Sequence, residues 1–569
     1  MFKEKKTMMT FLSCRKCYNR IRIFGIIIVA IFMLLISRLV YIQYYKSQDL
    51  KDKTEKQYYY EQKLEDRNYK LFDKNGKSFF KYDKKYYVGI DPMFYMRYNF
   101  NKNSLNIRKV EYILRNYNKT YLLPDKIKNL DYNSKIKYEI DEDTYERLKE
   151  FNDVKGLYIY KYDESNCDRN WNIINVMDSI KNFKDNSLKG KNSLEMTMQD
   201  IRKENSFSKM IVDKNIRTKD SFNEEDDPKE NLNFRLTMSK DINECIKKVI
   251  NSKKYESYKD IGVILMESDT GKILSMVNKD DSRPNINMGV SSKNGYFPGS
   301  IFKIVTTAAA LDNNISYENK LYKRNKSIVE HNNRESMTLK EAVICSSNDI
   351  FYQVGEEVGF KNIYKYAQKF GLLDPVLGLN DEVNGKFEVS TPVKNDEVRF
   401  SAIGQKIRIT PLEAINIANV VVNNGVLVKP YIIDSIVNDE NDEIKKINTE
   451  NEKIIKSSTA MILKNMMIGV VENENGTGKL AKIKDIKVGG KTGTSEYYEV
   501  ENSKREKHSD GWFVGFFTLN GKEYSSVVLT RDIDWRDRSL GGKNEDGGTT
   551  SAPIFADVVS TLKEKSLLN

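Results

Sequence analysis

Residues 23–45, IFGIIIVAIFMLLISRLVYIQYY, narrow the folds open to this chain more than any other segment. An apolar run of this length with a single charge, Arg38, can cross a bilayer as a helix, the arginine reaching an interface along its own apolar stem. The preceding stretch, MFKEKKTMMTFLSCRKCYNRIR, is basic, which predicts a cytoplasmic N-terminus and export of everything that follows. No small-residue cleavage site follows the run, so an uncleaved anchor is expected rather than a signal peptide. The expectation is a single-pass membrane protein: a basic tail over 1–22, an anchor over 23–45, and a working part outside the cytoplasm.

That working part is too long for one core, since the chain has 569 residues and single cores stop growing near 250–300, roughly. Its 39% apolar and 31% charged residues suit packed, water-exposed domains. The net charge of +12 is spread along the chain beside many Asn, Ile and Tyr, and no basic cluster carries a nucleic-acid motif, so nucleic acid is not an expected partner. Only two histidines occur, His331 and His508, and any Ser-His-Asp triad or histidine metal site would need one of them. Five scattered cysteines make no disulfide framework, and the lone Cys14-x-x-Cys17 lacks a second pair to complete a zinc site. Neither a metal nor a cofactor is expected.

Residues 46–233 alternate short Tyr- and Ile-rich segments with polar turns and read as a mixed α/β region without repeats; the charged SFNEEDDPKENLN at 221–233 reads as a linker or exposed loop. Beyond it the texture changes. IGVILMESDTGKILSMV reads as a hairpin about an Asp-Thr-Gly turn, and GWFVGFFTLNGKEYSSVVLT as another turning at Asn520-Gly521. Helical patterns such as IVTTAAALDN and PLEAINIANVVVNNG lie between. Strands at both ends with helices inserted imply an α/β (α+β) domain over 234–569, an antiparallel sheet flanked by helices and closed by its own ends.

Inside that domain, YFPGSIFKIV places Ser300 and Lys303 one turn apart after a Pro-Gly break, at the head of an apolar run that reads as a helix. Residues three apart share a helix face, so the hydroxyl and the amine can meet. A helix N-terminus favours a developing alkoxide, and burial is what lets a lysine lose its proton. The same spacing at Ser78/Lys81, Ser206/Lys209 and Ser560/Lys563 lacks the break or the apolar helix. Two further stretches matter: AVICSSNDIFYQVG, with Ser346-Ser347-Asn348, and IKVGGKTGTSEYY, with Lys491-Thr492-Gly493-Thr494.

In the order Ser-x-x-Lys, Ser-x-Asn, Lys-Thr-Gly these stretches resemble the penicillin-binding protein transpeptidases, whose motif set is shared with class A β-lactamases. SAIGQKIRITPLEAINIANVVVNNG, DGWFVGFF and GGTTSAPIFADVV are similar to further segments of that domain. EDRNYKLFDKNGKSF and GKNSLEMTMQDI resemble degraded pedestal motifs of the monofunctional class B enzymes, with Asn68 in place of a glycine. Lys406 also stands where many relatives have a glycine. The resemblance implies a pedestal over 46–233 and a transpeptidase domain over 234–569.

The resemblance also implies roles. Ser300 is the acylated nucleophile and Lys303 its base; Ser346 relays a proton to the leaving amine, and Asn348 positions Lys303 and the substrate amide. Lys491 supplies positive charge, Thr492 and Thr494 bind the donor carboxylate or acyl chain, and Gly493 lets the backbone approach. The N–H groups of Ser300 and Thr494 form an oxyanion hole, each donor contributing about 3 kcal/mol. The implied activity is peptidoglycan D,D-transpeptidation, with D,D-carboxypeptidation as a side reaction and β-lactams as acylating inhibitors. The implied partners are stem peptides, the bilayer through the anchor, and a separate glycan polymerase of the SEDS type within a wall-synthesis complex, because the polymerase motif of bifunctional relatives needs a histidine and none precedes His331. The alternatives are a β-lactam hydrolase and a non-catalytic penicillin-recognising scaffold. The hydrolase is disfavoured because no Leu-Asn pair has the glutamate three residues ahead that class A enzymes use for deacylation.

Overall fold

A computed structural model describes residues 2–47, 50, 59–99, 104–132, 134–151, 154–166, 169–213, 223–226, 228, 230–325, 334–501, 504–536 and 542–568. The anchor run lies within one helix, α1 (Phe2–Tyr45), which extends back through the basic tail. Its stretch Arg20–Tyr45 is long and apolar enough to cross a membrane, and none of it is buried against protein.

The chain forms two compact bodies. The smaller takes in Met1–Asp66, Tyr82–Glu164 and Phe207–Pro228. Its core is a three-stranded sheet in the order Ile136–Ile140, Tyr82–Ile90, Leu157–Ser165. The helices Leu105–Tyr117 and Glu142–Lys149, capped by the side chains of Ser104 and Asp141, bury Val110, Leu114 and Leu148 with Val88 and Ile90. A second sheet pairs Tyr59–Lys63 with Lys209–Asp213 and the latter with Asn223–Asp226. The expectation of a linker at 221–233 is corrected here: Asn223–Asp226 is a strand, and Asn231 and Asn233 are buried. Asn231 earns that burial by exchanging hydrogen bonds with the Ser206 backbone, which satisfies its amide away from water.

The larger body takes in Arg67–Lys81, Ser165–Ser206 and Lys229–Asn569. After α2 (Lys240–Ile250), β1 (Ile261–Glu267) and β2 (Ile273–Asn278) form the first hairpin. Among the helices that follow are α3 (Lys303–Asp312), α4 (Asn348–Lys369), α5 (Pro411–Val422) and α6 (Ser457–Glu472). The chain then returns to the sheet as β3 (Lys487–Glu501), β4 (Lys504–Leu519) and β5 (Lys522–Thr530), and ends in α7 (Ser551–Glu564). The sheet is antiparallel throughout, in the order β2-β1-β5-β4-β3. Both hairpins expected from the sequence are present. The β4–β5 turn has positive φ at Asn520 and Gly521, the backbone that Asn-Gly supplies without strain.

Side chains alternate across the sheet, so Val263, Leu265, Phe513, Phe517 and Val528 face one side, where they pack with α2 and α7. α5 covers the other side and α6 lies along β3. α5 is buried along its whole length; Thr410 caps it, Pro411 starts it, and Glu413 completes a capping box. The segment Ser165–Ser206 is held in this body by buried charge. Lys189 Nζ, with no exposed side chain, donates to Glu195 Oε1 at 2.7 Å and to Val176 O at 2.8 Å, and Asn380 N donates to Glu195 in turn.

Candidate active site

Ser300 lies on a single 3₁₀ turn, Gly299–Phe302, and the α-helix begins at Lys303, slightly later than the sequence pattern implied. The tighter winding eclipses residues three apart, which sets Lys303 directly beneath Ser300. Gly299 enters the turn at φ +54°, a backbone that L side chains rarely adopt. Tyr296 pairs with Ile409 on the way in, and Pro298 sets the break.

Lys303 is fully buried. Its Nζ donates to Ser346 O at 2.6 Å, to Asn348 Oδ1 at 2.7 Å and to Ser346 Oγ at 3.3 Å. Its amine is held mainly by two carbonyl-type oxygens of the Ser346–Asn348 segment, which are strong acceptors. Ser346 sits between the end of the Leu339–Ile344 helix and α4 at φ +61°. Ser347 N donates to Ala342 O, closing the first helix with a left-handed residue, a place glycine usually fills. Ser347 also caps α4 by accepting from Ile350 N. The strained serine holds its carbonyl on Lys303 and its hydroxyl between two lysines.

The second lysine is Lys491, on the edge strand β3. It is fully buried, and its Nζ donates to Ser346 Oγ at 2.8 Å and to Thr492 O at 3.0 Å. Burial pushes its amine down to about 7, with the nearby Cys345 and Asp546 pulling the other way. Thr492 shares a hydrogen with Thr477 at 2.6 Å, and Thr494 Oγ1 accepts from Gly547 N at 3.2 Å.

The turn bearing Ser300 runs against β3 at backbone distance. A Cβ on Gly493 would lie 2.4 Å from Pro298 O, and one on Gly299 would lie 2.4 Å from Thr494 O. Gly404 closes on the same turn, its carbonyl accepting from Gly299 N at 3.2 Å. Ser300 and Thr494 are half-buried and Asn348 is exposed, so the cleft opens on Ser300, Thr494 and Asn348 while both lysines lie beneath it. All eight residues singled out in the sequence therefore fall on three adjacent elements: the Ser300 turn, the start of α4, and β3.

On β4, opposite β3, Trp512 is buried and donates through Nε1 to Phe297 O at 3.0 Å, and Asp510 is buried against Arg531. His508 holds Asp532 at 2.7 Å through Nδ1 and stacks on Tyr497. His331 lies outside the described residues. Sequence reasoning gave no role to Thr477, Gly547 or Gln405, whose Nε2 lies 3.5 Å from Thr494 O; Gln405 and Gly547 fell in segments already noted, Thr477 did not. Among the described residues no three His, Cys, Asp or Glu side chains are grouped to hold a metal ion.

Comparison with known proteins bears on this arrangement. The family model described as penicillin binding protein transpeptidase domain matches residues 261–560, more than half of the chain. Stage V sporulation protein D of Bacillus subtilis (strain 168) is 24% identical over 442 residues, 73% of this chain and 66% of that protein. Peptidoglycan D,D-transpeptidase PbpA of Mycolicibacterium smegmatis (strain ATCC 700084 / mc(2)155) is 25% identical over 347 residues, 53% of this chain and 67% of that protein. The match thus spans about two thirds of the length of these relatives. In fold the chain is similar to the crystal structure of a peptidoglycan synthetase from Bifidobacterium adolescentis ATCC 15703, with a TM-score of 0.65 over 90% of this chain and 97% of that one, at 16% identity.

Proposed function

Because this chain belongs to the family of penicillin-binding protein transpeptidases, we propose that it crosslinks peptidoglycan as a D,D-transpeptidase through an acyl-enzyme on Ser300. The observation that carries this reading is the Ser346 hydroxyl, held between the buried nitrogens of Lys303 at 3.3 Å and Lys491 at 2.8 Å. A neutral lysine amine has two N–H bonds and one lone pair. In its neutral form Lys303 keeps the two closer bonds, to Ser346 O at 2.6 Å and Asn348 Oδ1 at 2.7 Å, gives up the longer donation to Ser346 Oγ, and turns its lone pair to a hydroxyl proton.

The steps follow. Lys303 Nζ takes the Ser300 proton as Oγ attacks the carbonyl of the penultimate D-alanine of a donor stem. The oxyanion is held by the N–H groups of Ser300 and Thr494, and Lys491 with Thr492 and Thr494 receives the terminal carboxylate. As the C–N bond breaks, Ser346 passes the proton from Lys303 to the leaving nitrogen, and D-alanine departs. An amine on a second stem then attacks the ester and gives up a proton along the same path, restoring Ser300. Water in place of the amine gives D,D-carboxypeptidation, and a β-lactam leaves a ring-opened acyl group on Ser300.

The rest of the proposal is organisation. Residues 234–569 act as the transpeptidase domain on a pedestal of 46–233, with α1 as a single anchor whose basic end stays in the cytoplasm. Glycan strands then come from a separate membrane polymerase. The test is covalent labelling of the detergent-extracted full chain by a fluorescent penicillin. Wild type labels and Ser300→Ala does not; a wild type that fails to label, or a Ser300→Ala chain that labels equally, sinks the assignment.

A further inference from the structure

Just past the end of β5, Arg531 places its guanidinium at a junction that the acyl-transfer steps leave unused. Its Nε lies 3.4 Å from each carboxylate oxygen of Asp510, whose side chain is 1% exposed. Its Nη2 donates to the Tyr497 hydroxyl. Its Cζ stands 4.6 Å from the ring centre of Tyr296 and 5.7 Å from that of Tyr497. Tyr296 lies in the segment, bridged to Ile409, that leads into the Ser300 turn, and Tyr497 lies on β3 three residues after Thr494. Asp510 sits on β4 opposite Ser495, which follows Thr494. One cation therefore touches both walls of the cleft immediately outside Ser300 and Thr494.

The glycine contacts between those walls limit their approach but not their separation. Gly299 against Thr494 O and Gly493 against Pro298 O are packed to the point where no Cβ fits, so the gap cannot narrow. On the β4 side the Trp512–Phe297 hydrogen bond holds the gap closed. At the far end the tie is Arg531, whose planar fork serves Asp510 and Tyr497 while its face lies on Tyr296, an arrangement a lysine cannot reproduce. A buried ion pair adds little to stability over apolar residues of the same size, whereas it does fix geometry.

We propose that Arg531 is a positioning residue for the oxyanion hole: by clasping Tyr296 and Tyr497 it sets the spacing between the N–H groups of Ser300 and Thr494. The assignment rests on the acyl-transfer reading above and adds to it a residue that touches neither substrate nor Ser300.

Formation and breakdown of the acyl-enzyme pass through the same oxyanion, so a misplaced hole slows both. The experiment follows the detergent-solubilised full chain with a fluorescent penicillin, measuring non-covalent affinity, the acylation rate constant at saturation and the rate of acyl loss. Arg531→Lys is expected to lower both rate constants together by about 10-fold with affinity within about 2-fold, and Tyr497→Phe to lower both by about 3-fold, fractions of the loss that follows removal of a whole donor. Arg531→Gln is expected to be worse than Arg531→Lys. Should the glutamine chain not fold, the other two variants, which keep a cation beside Asp510, still decide the matter. A purely structural role would reduce the amount of protein that labels while leaving both rate constants of the remainder unchanged. That result, or slowed acylation with unaltered acyl loss, overturns the assignment. A wild type that takes no penicillin on Ser300 overturns the acyl-transfer reading itself; a wild type that labels, with Arg531→Lys matching it in both rates, overturns the role of Arg531 alone.

Discussion

At the scale of single residues, the feature with the widest reach is the buried Lys491 amine near neutrality. Its proton is present below about 7 and absent above, and the proposed steps use the charged form to receive a carboxylate. Acylation efficiency at low penicillin concentration, which reports the free protein, is therefore expected to fall as pH rises through 7, about tenfold per unit at the limit. At saturation the bound carboxylate favours the charged amine, so the maximal rate holds to higher pH. Stopped-flow acylation across this range checks both limbs; efficiency that rises through pH 7 contradicts the assigned charge. Folding has the opposite sense. Lys491 is lowered from 10.5 to about 7, so the folded chain binds fewer protons than the unfolded one between those values and its stability rises with pH across that window. The eight candidate residues were legible in the sequence as motifs, and the fold brings them onto neighbouring segments. Backbone state was not: Ser346 adopts φ +61°, where a glycine would have been the signal, and serine carries none.

Between elements, the decisive contact is that of β3 with the Ser300 turn. The apolar run after Ser300 foretold the helix, the Lys-Thr-Gly motif marked β3, and the two hairpins were legible because turn residues and alternation agree there. Their approach was not legible, because a glycine in a strand is compatible with either a bulge or a close neighbour. Gly493 has the close neighbour, Pro298 O at 2.4 Å from a built Cβ. Gly493→Ala must push β3 away from the turn, and a displacement of this kind is expected to lower the acylation rate at least about 100-fold. Rate measurements on chain that retains wild-type circular dichroism test this, and an alanine variant acylating at the normal rate refutes the close-approach argument. The strand at Asn223–Asp226 was missed for a different reason: four polar residues paired on a sheet edge show no apolar alternation to read.

For the whole molecule, contacts do not respect sequence order. Ser165–Ser206 packs within the larger body, and its fastening is the buried Lys189–Glu195 pair; the GKNSLEMTMQDI stretch holds Glu195 but begins one residue after Lys189, so it did not reveal the pair. Glu195→Gln leaves the buried Lys189 to the more distant Asp381 Oδ2, at 3.6 Å, as its carboxylate, so it is expected to cost about 1–3 kcal/mol, read as a shifted denaturant midpoint; a midpoint within error of wild type contradicts the pairing argument. The sheet order carries a consequence for the birth of the protein. β5 lies between β1 and β4, so the strand made last among the five is the one that joins the first hairpin to the rest. Ser300, Lys303 and Ser346 leave the ribosome long before Lys491 and the strands that hold it. A nascent chain thus carries the serine proposed as nucleophile apart from Lys491, and the five-stranded sheet that holds Lys491 is complete only when synthesis has passed Thr530.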